Sequence, residues 1–233
     1  MQRDGGDQRG DVLQRDANRL LGYTAQQALD YAQSLYEKQL LTYPRTDSRY
    51  LPQGMTEKAR ELAAYAAAAL PFAAGLSLPC HPRQLAGKVS DHHALLPTAA
   101  LRDHPLDALP AGERSVLTLV ATRLLCAAGE ACVMQETTAR LECEGVSFTA
   151  RGRRTVHPGW KALDAASRAT LKSREREEEA DGLPPLNERM TFLPVTASVR
   201  EGKTTPPERY SEDPLLSAME NAGNEKPSKD AER

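Results

Sequence analysis

From Thr24 onward, Ala25, Ala28, Leu29, Ala32, Leu35 and Tyr36 recur at spacings of three and four with polar residues between them. That period predicts an amphipathic helix whose apolar stripe, Tyr36 included, packs into a core. Thr24 and Gln27 stand in the capping-box relation at its start, and the helix delivers the chain to Tyr43. A second helix is predicted from about Thr56 to Leu70, with Ala59, Leu62, Ala63, Ala66 and Leu70 inward and an alanine-rich middle of high helix propensity. Pro71, Gly75 and Pro79 end it. A third, from about Gly112 to Ala128, is marked by Val116, Leu117, Val120, Leu124 and Leu125.

The period then changes. Ala139, Leu141 and Cys143 alternate with Thr138, Arg140 and Glu142, and a Glu144-Gly145 turn leads into Val146, Phe148 and Ala150, which predicts a β-hairpin. Strand character resumes from Met190 to Val199 through Phe192, Val195, Ala197 and Val199. The single tryptophan, Trp160, follows His157-Pro158-Gly159 and is expected to pack this sheet. The acidic, mixed run from Lys172 to Asp181, with Gly182-Leu183-Pro184-Pro185 after it, reads as a solvated loop. One short helix is expected from Asp213 to Asn221. Residues 1–11 and the tail from Gly223 have no period and read as disordered, the former as a leader. The fold class is α+β.

Hydrophobic content of 40% suits a folded core, and the formal net charge of −2 gives no global basic signal for nucleic acid, so local Arg and Lys clusters would have to supply one. Arg15, Arg19, Arg45 and Arg49 form such a cluster by sequence. Cys80, Cys126, Cys132 and Cys143 lack C-x-x-C spacing and matching His pairs, which argues against zinc and for reduced core thiols of a cytoplasmic protein. Cys80-His81 reads as structural. No apolar run is long enough to span a membrane, and the N-terminus has no apolar core of a signal peptide.

The chemistry is concentrated between Leu41 and Leu51, in Leu-Thr-Tyr-Pro-Arg-Thr-Asp-Ser-Arg-Tyr-Leu. Pro44 fixes its own φ and biases Tyr43 towards extended backbone, so Tyr43 is expected on a rigid loop or strand end. A phenol with an ordinary pKa of about 10 needs help to act as a nucleophile. Arg45 brings positive charge suited to a phosphoryl group under attack. Standing alone, a Tyr-x-Arg pair is ordinarily a surface hydrogen bond. His92 and His93, after Lys88, add groups able to exchange protons or bond a phosphate near neutral pH. His104 and His157 have no motif support.

The segment Leu40 to Pro52 resembles the active-site stretch of type IA DNA topoisomerases, in the topoisomerase III branch. Leu13 to Arg19 and Ala32 to Glu37 resemble the approach to the family's tyrosine. Asp91-His92-His93-Ala94-Leu95-Leu96-Pro97-Thr98 resembles its second block, and Glu201 to Tyr210 a third. The resemblance implies cleavage and resealing of one DNA strand through a 5′-phosphotyrosyl bond, an isomerase activity that changes DNA topology without ATP. It implies Tyr43 as nucleophile, Arg45 as phosphate stabiliser and His92 as the hydrogen-bonding or proton-handling partner. Arg49, His93, Lys203 and Arg209 are implied as contacts to single-stranded DNA through phosphates. Asp47 and Ser48 match the motif and are expected to brace the loop.

The same resemblance divides the chain into a leader (1–11), a helical tyrosine domain (12–128), a β-rich arch (129–205) and the start of a DNA-binding domain (206–233). Family members bind Mg²⁺ through an Asp-x-Asp pair and a Glu in a Toprim domain, and no Asp-x-Asp occurs here. The chain is therefore expected to be an internal piece that carries no metal ligands. It is expected to be inactive alone and to need a Toprim part in cis or in trans. The alternative is a non-catalytic single-stranded-DNA-binding module in which Tyr43 is a stacking platform. A tyrosine recombinase fits poorly, because Tyr43 precedes His92.

Overall fold

The computed structural model describes residues 10–46, 48–74, 92–171, 182–193, 195–196, 198–207 and 209–220. Readings of the leader's first residues, Asp47, Cys80-His81, Lys88, Asp91, the run from Lys172 to Asp181, Ala197, Glu208 and the tail lie outside these. The chain is a mixed α+β fold of two compact units. One comprises Met1–Ala131, Gly159–Glu175 and Tyr210–Arg233, the other Cys132–Pro158 and Arg176–Arg209.

The first unit is helical: α1 (Gly10–Leu21), α2 (Ala25–Glu37), α3 (Thr56–Ala69), α4 (Ala111–Ala128), α5 (Trp160–Thr170) and α6 (Glu212–Glu220). The predicted capping box of α2 is present, with the Gln27 amide donating to Thr24 Oγ1 at 3.1 Å and the Thr24 amide to Gln27 Oε1 at 3.0 Å. Glu212 of α6 accepts from the Ala25 amide at 2.6 Å, adding a carboxylate where the helix dipole favours one. The expected stripe of α4 is only part of its burial. Leu119, Ala121 and Cys126 are also buried, because α4 is the central helix and packs on α1, α2, α3 and α5.

The sequence reading proposed neither α1 nor α5. A buried ion ladder fastens both to α4: Asp16 meets Arg123 at 2.6 Å and Arg19 at 2.7 Å, and Asp164 meets Arg123 at 3.3 Å and Arg168 at 2.9 Å. Burial pushes the Asp16 carboxyl up, but the Arg123 and Arg19 guanidiniums outweigh it and hold the group below its ordinary range. Between α2 and α4, buried Glu113 accepts from Lys38 Nζ at 2.5 Å and Ser34 Oγ at 2.9 Å. Burial opposes its ionisation too, and these two donors again leave its carboxyl below the ordinary value.

Trp160, expected on the sheet, belongs to the helical unit and packs on its core. Gly159, at φ 51°, turns the chain into α5, and the tryptophan lies against the helical core with its amide bonded to Glu130 O at 2.9 Å. Of the cysteines described, only Cys126 is a core thiol, pushed up to about 12 by burial; Cys132 is half-buried and Cys143 exposed.

The second unit is built on the predicted hairpin, longer than its alternation suggests: β1 (Val133–Cys143) pairs antiparallel with β2 (Val146–His157). Glu144 and Gly145 take φ of 48° and 76°, the paired positive values of a tight two-residue hairpin turn. The register sets Leu141 opposite Phe148 and Ala139 opposite Ala150, on the face where Leu183 lies over Gly152. The strand expected from Met190 to Val199 is absent among the described residues. Among the described residues the sheet has two strands, and Leu193 and Val199 are 86% and 97% exposed. No helix among the described residues is long and apolar enough to cross a membrane.

Candidate active site

Tyr43 is held by its backbone first. Helix α2 ends in a tight reversal in which the Gln39 amide donates to Tyr36 O at 2.8 Å and the Leu40 amide to Leu35 O at 2.9 Å. Gln39 takes the left-handed position usual for glycine, at φ 60°. Leu40 and Leu41 are then driven into the core, both essentially inaccessible.

From there the chain pairs with the His92 segment. The Thr42 amide donates to Leu96 O at 2.9 Å, the Leu96 amide to Thr42 Oγ1 at 2.9 Å, the Thr98 amide to Leu40 O at 3.0 Å and the Ala94 amide to Tyr50 O at 3.0 Å. Thr98 Oγ1 also donates to Gln39 O. Leu41 and Pro97 form the antiparallel bridge at the centre of this clamp. Pro44 is fully buried beside it.

Past Pro44 the loop bonds to itself. Buried Thr46 donates to His93 O at 3.1 Å and accepts from the Ser48 amide at 3.1 Å, while Ser48 Oγ accepts from the Tyr50 amide at 3.2 Å. Ser48 thus braces the loop.

The Tyr43 ring stands half-buried on this frame. His92 lies against it with ring centroids 4.7 Å apart and a tilt of 39°, and Tyr36 meets it edge-on at 5.7 Å and 77°. Among the described residues nothing hydrogen-bonds the Tyr43 hydroxyl or pairs with the exposed Arg45. A half-buried phenol thus packs against an exposed imidazole, and the exposed Arg45 follows two residues on in the same loop.

Arg49 is exposed but engaged, its guanidinium donating to Tyr50 Oη at 2.9 Å and lying 5.1 Å from that ring's centroid. His93 is half-buried, with Nδ1 at 2.6 Å from Ala94 O, a contact in which the ring nitrogen is the donor. Arg19 is committed to Asp16. Lys203 and Arg209 are exposed on the second unit. Among the described residues no group of three or more His, Cys, Asp or Glu side chains converges as a metal site. The Mg²⁺ that the resemblance implies thus finds no ligand set in them.

Tyr36 corrects the sequence reading, which placed it on the buried stripe of α2. It is 40% exposed, while its neighbour Leu35 is fully buried. The available signal was its place at the polar end of the helix, followed by Glu37 and Lys38. Thr42 carries no motif signal of its own, although a threonine before Tyr-Pro is suited to accept a cross-strand amide.

A family model described as DNA topoisomerase matches residues 9–228. DNA topoisomerase 3 of Bacillus subtilis is 36% identical over 221 residues, covering 90% of this chain and 29% of that protein. DNA topoisomerase 3 of Vibrio cholerae is 35% identical over 218 residues, covering 89% of this chain and 32% of its own length. The chain thus spans less than a third of either relative. The structure of full-length topoisomerase I from Thermotoga maritima shares the fold, with a TM-score of 0.62 at 23% identity over 96% of this chain and 36% of that one. Since the family match runs unbroken through the Tyr43 loop, the His92 segment that clamps it and the hairpin beyond, this chain belongs to the type IA DNA topoisomerases.

Proposed function

We propose that this chain carries the nucleophile of a DNA strand-passage enzyme and that Tyr43 forms the covalent bond to DNA. The Tyr43 oxygen attacks a backbone phosphorus of single-stranded DNA, the new O–P bond forms, and the P–O3′ bond breaks. The 5′ end stays on the tyrosine and the 3′ oxygen leaves, taking up a proton. Resealing is the reverse attack by the 3′ hydroxyl, so the phosphodiester energy is kept and no ATP is consumed. His92 moves the proton near the phenol, and Arg45 faces the charge that builds on the phosphoryl oxygens. Arg49, His93, Lys203 and Arg209 hold the strand through its phosphates.

The observation that carries this reading is the His92 ring packed against Tyr43 on a loop whose backbone is clamped to the His92 segment. Mg²⁺ belongs to a Toprim part outside the residues described, in cis or in trans, and the chain by itself is expected not to relax supercoils. In a longer enzyme the helical tyrosine domain, the β-rich arch and the DNA-binding start act as separate parts.

Covalent trapping tests this. The chain is incubated with a labelled single-stranded oligonucleotide and Mg²⁺, with and without a separately made Toprim domain, and denatured. An adduct is expected only with the added part, and none from Tyr43→Phe. If Tyr43→Phe binds DNA as well as the unaltered chain and no combination yields an adduct, the reading gives way to a non-catalytic binding module in which Tyr43 stacks on bases.

A further inference from the structure

We propose that Tyr36 is a positioning residue that sets the orientation of the Tyr43 ring for attack; this rests on Tyr43 being the nucleophile. The clamp fixes the Tyr43 backbone through Thr42 and Pro44, but it leaves rotation about Cα–Cβ and Cβ–Cγ to be settled by what touches the ring. Among the described residues two rings do so, His92 and Tyr36. His92 has its own task with the proton. Tyr36 has no such task, and its geometry, 77° between ring planes at 5.7 Å, is the edge-to-face arrangement that aromatic quadrupoles favour.

Two features separate this from core packing. Tyr36 is 40% exposed, so it gives little to the apolar interior that Leu35 fills. Its carbonyl also accepts the Gln39 amide in the reversal that launches the reactive loop, so the ring that orients Tyr43 is tied to the turn that delivers it. The Tyr36 hydroxyl plays no part in an edge contact, so phenylalanine should serve as well as tyrosine. A misoriented nucleophile loses rate without losing fold.

Two measurements on the full chain test this. In carbon–proton spectra of the tyrosine rings, with the Tyr43 signals assigned by their loss in Tyr43→Phe, Tyr36→Leu should move those signals towards unstructured positions. Tyr36→Phe should leave them in place. In the trapping reaction complemented by a Toprim domain, Tyr36→Leu should slow adduct formation about three- to tenfold, the rate equivalent of one aromatic pair, and Tyr36→Phe should restore it. An unaltered rate in Tyr36→Leu, or a loss in Tyr36→Phe as large as in Tyr36→Leu, overturns the proposal. No adduct from the unaltered chain sinks the nucleophile reading instead, and the ring spectra then decide alone whether Tyr36 orders Tyr43.

Discussion

Gln39 sits at φ 60° with an ordinary side chain, in a conformation that costs a residue with a Cβ roughly 1–2 kcal/mol. Glycine relieves that strain but adds freedom to the unfolded chain, worth roughly 0.5–1 kcal/mol against it. Gln39→Gly should therefore stabilise the helical unit by up to about 1.5 kcal/mol, read as a higher urea midpoint with unchanged slope. Thr42 gives the opposite test. Thr42→Val keeps the shape but leaves the Leu96 amide without its acceptor, a cost of about 1–3 kcal/mol, whereas Thr42→Ser keeps the bond and should stay close to the unaltered chain. The loop itself was legible from Tyr43-Pro44, which calls for extended backbone, and from the resemblance of the Leu40 to Pro52 stretch to a known segment. Tyr36 was not, since its helical spacing is that of a core residue and only its exposure reveals the contact with Tyr43.

Among elements, the turn at Gly159 is the most demanding. Its φ is 51°, and an added Cβ would lie 2.4 Å from the Ala131 carbonyl oxygen, a backbone atom that cannot swing aside. Gly159→Ala should cost about 2 kcal/mol or more and expose Trp160, seen as a red shift of its fluorescence at urea concentrations that leave the unaltered chain folded. The helices α2, α3 and α4 and the hairpin could be read from their periods. The two helices that escaped, α1 and α5, bury polar residues on the very face that sequence reasoning expects to be apolar: Asp16 beside Ala17 and Leu20, Asp164 and Ser167 beside Leu163. Beside Arg19 and Arg168 of their own helices, the partners Arg123 and Thr122 come from α4, so the pattern closes only in three dimensions. Met190 to Val199 fails the other way, with apolar side chains suited to a strand but no strand among the described residues that pairs with them.

For the molecule as a whole, the buried carboxylates set the response to acid. The Asp16 carboxyl is more acidic folded than at its ordinary 3.8, and that of Glu113 more acidic than at 4.5. The stabilisation they give is complete above those unfolded values and is lost as pH falls through the lower folded ones. Unfolding free energy should thus vary little from about pH 7 to about pH 5 on account of these groups and fall below about pH 4. Asp16→Asn should be weaker at neutral pH, by roughly 3 kcal/mol because Arg123 loses a buried counter-charge, and should show a shallower acid decline.

The pairing of the Tyr43 loop with the His92 segment has one more consequence. The amides of Thr42, Ala94, Leu96 and Thr98 are all bonded across that pairing, so none exchanges its hydrogen with heavy water unless the two segments separate. Their exchange should slow together, with one shared opening free energy rather than four local ones. A side chain mounted this way is either in register or detached, with no gradual slide between the two.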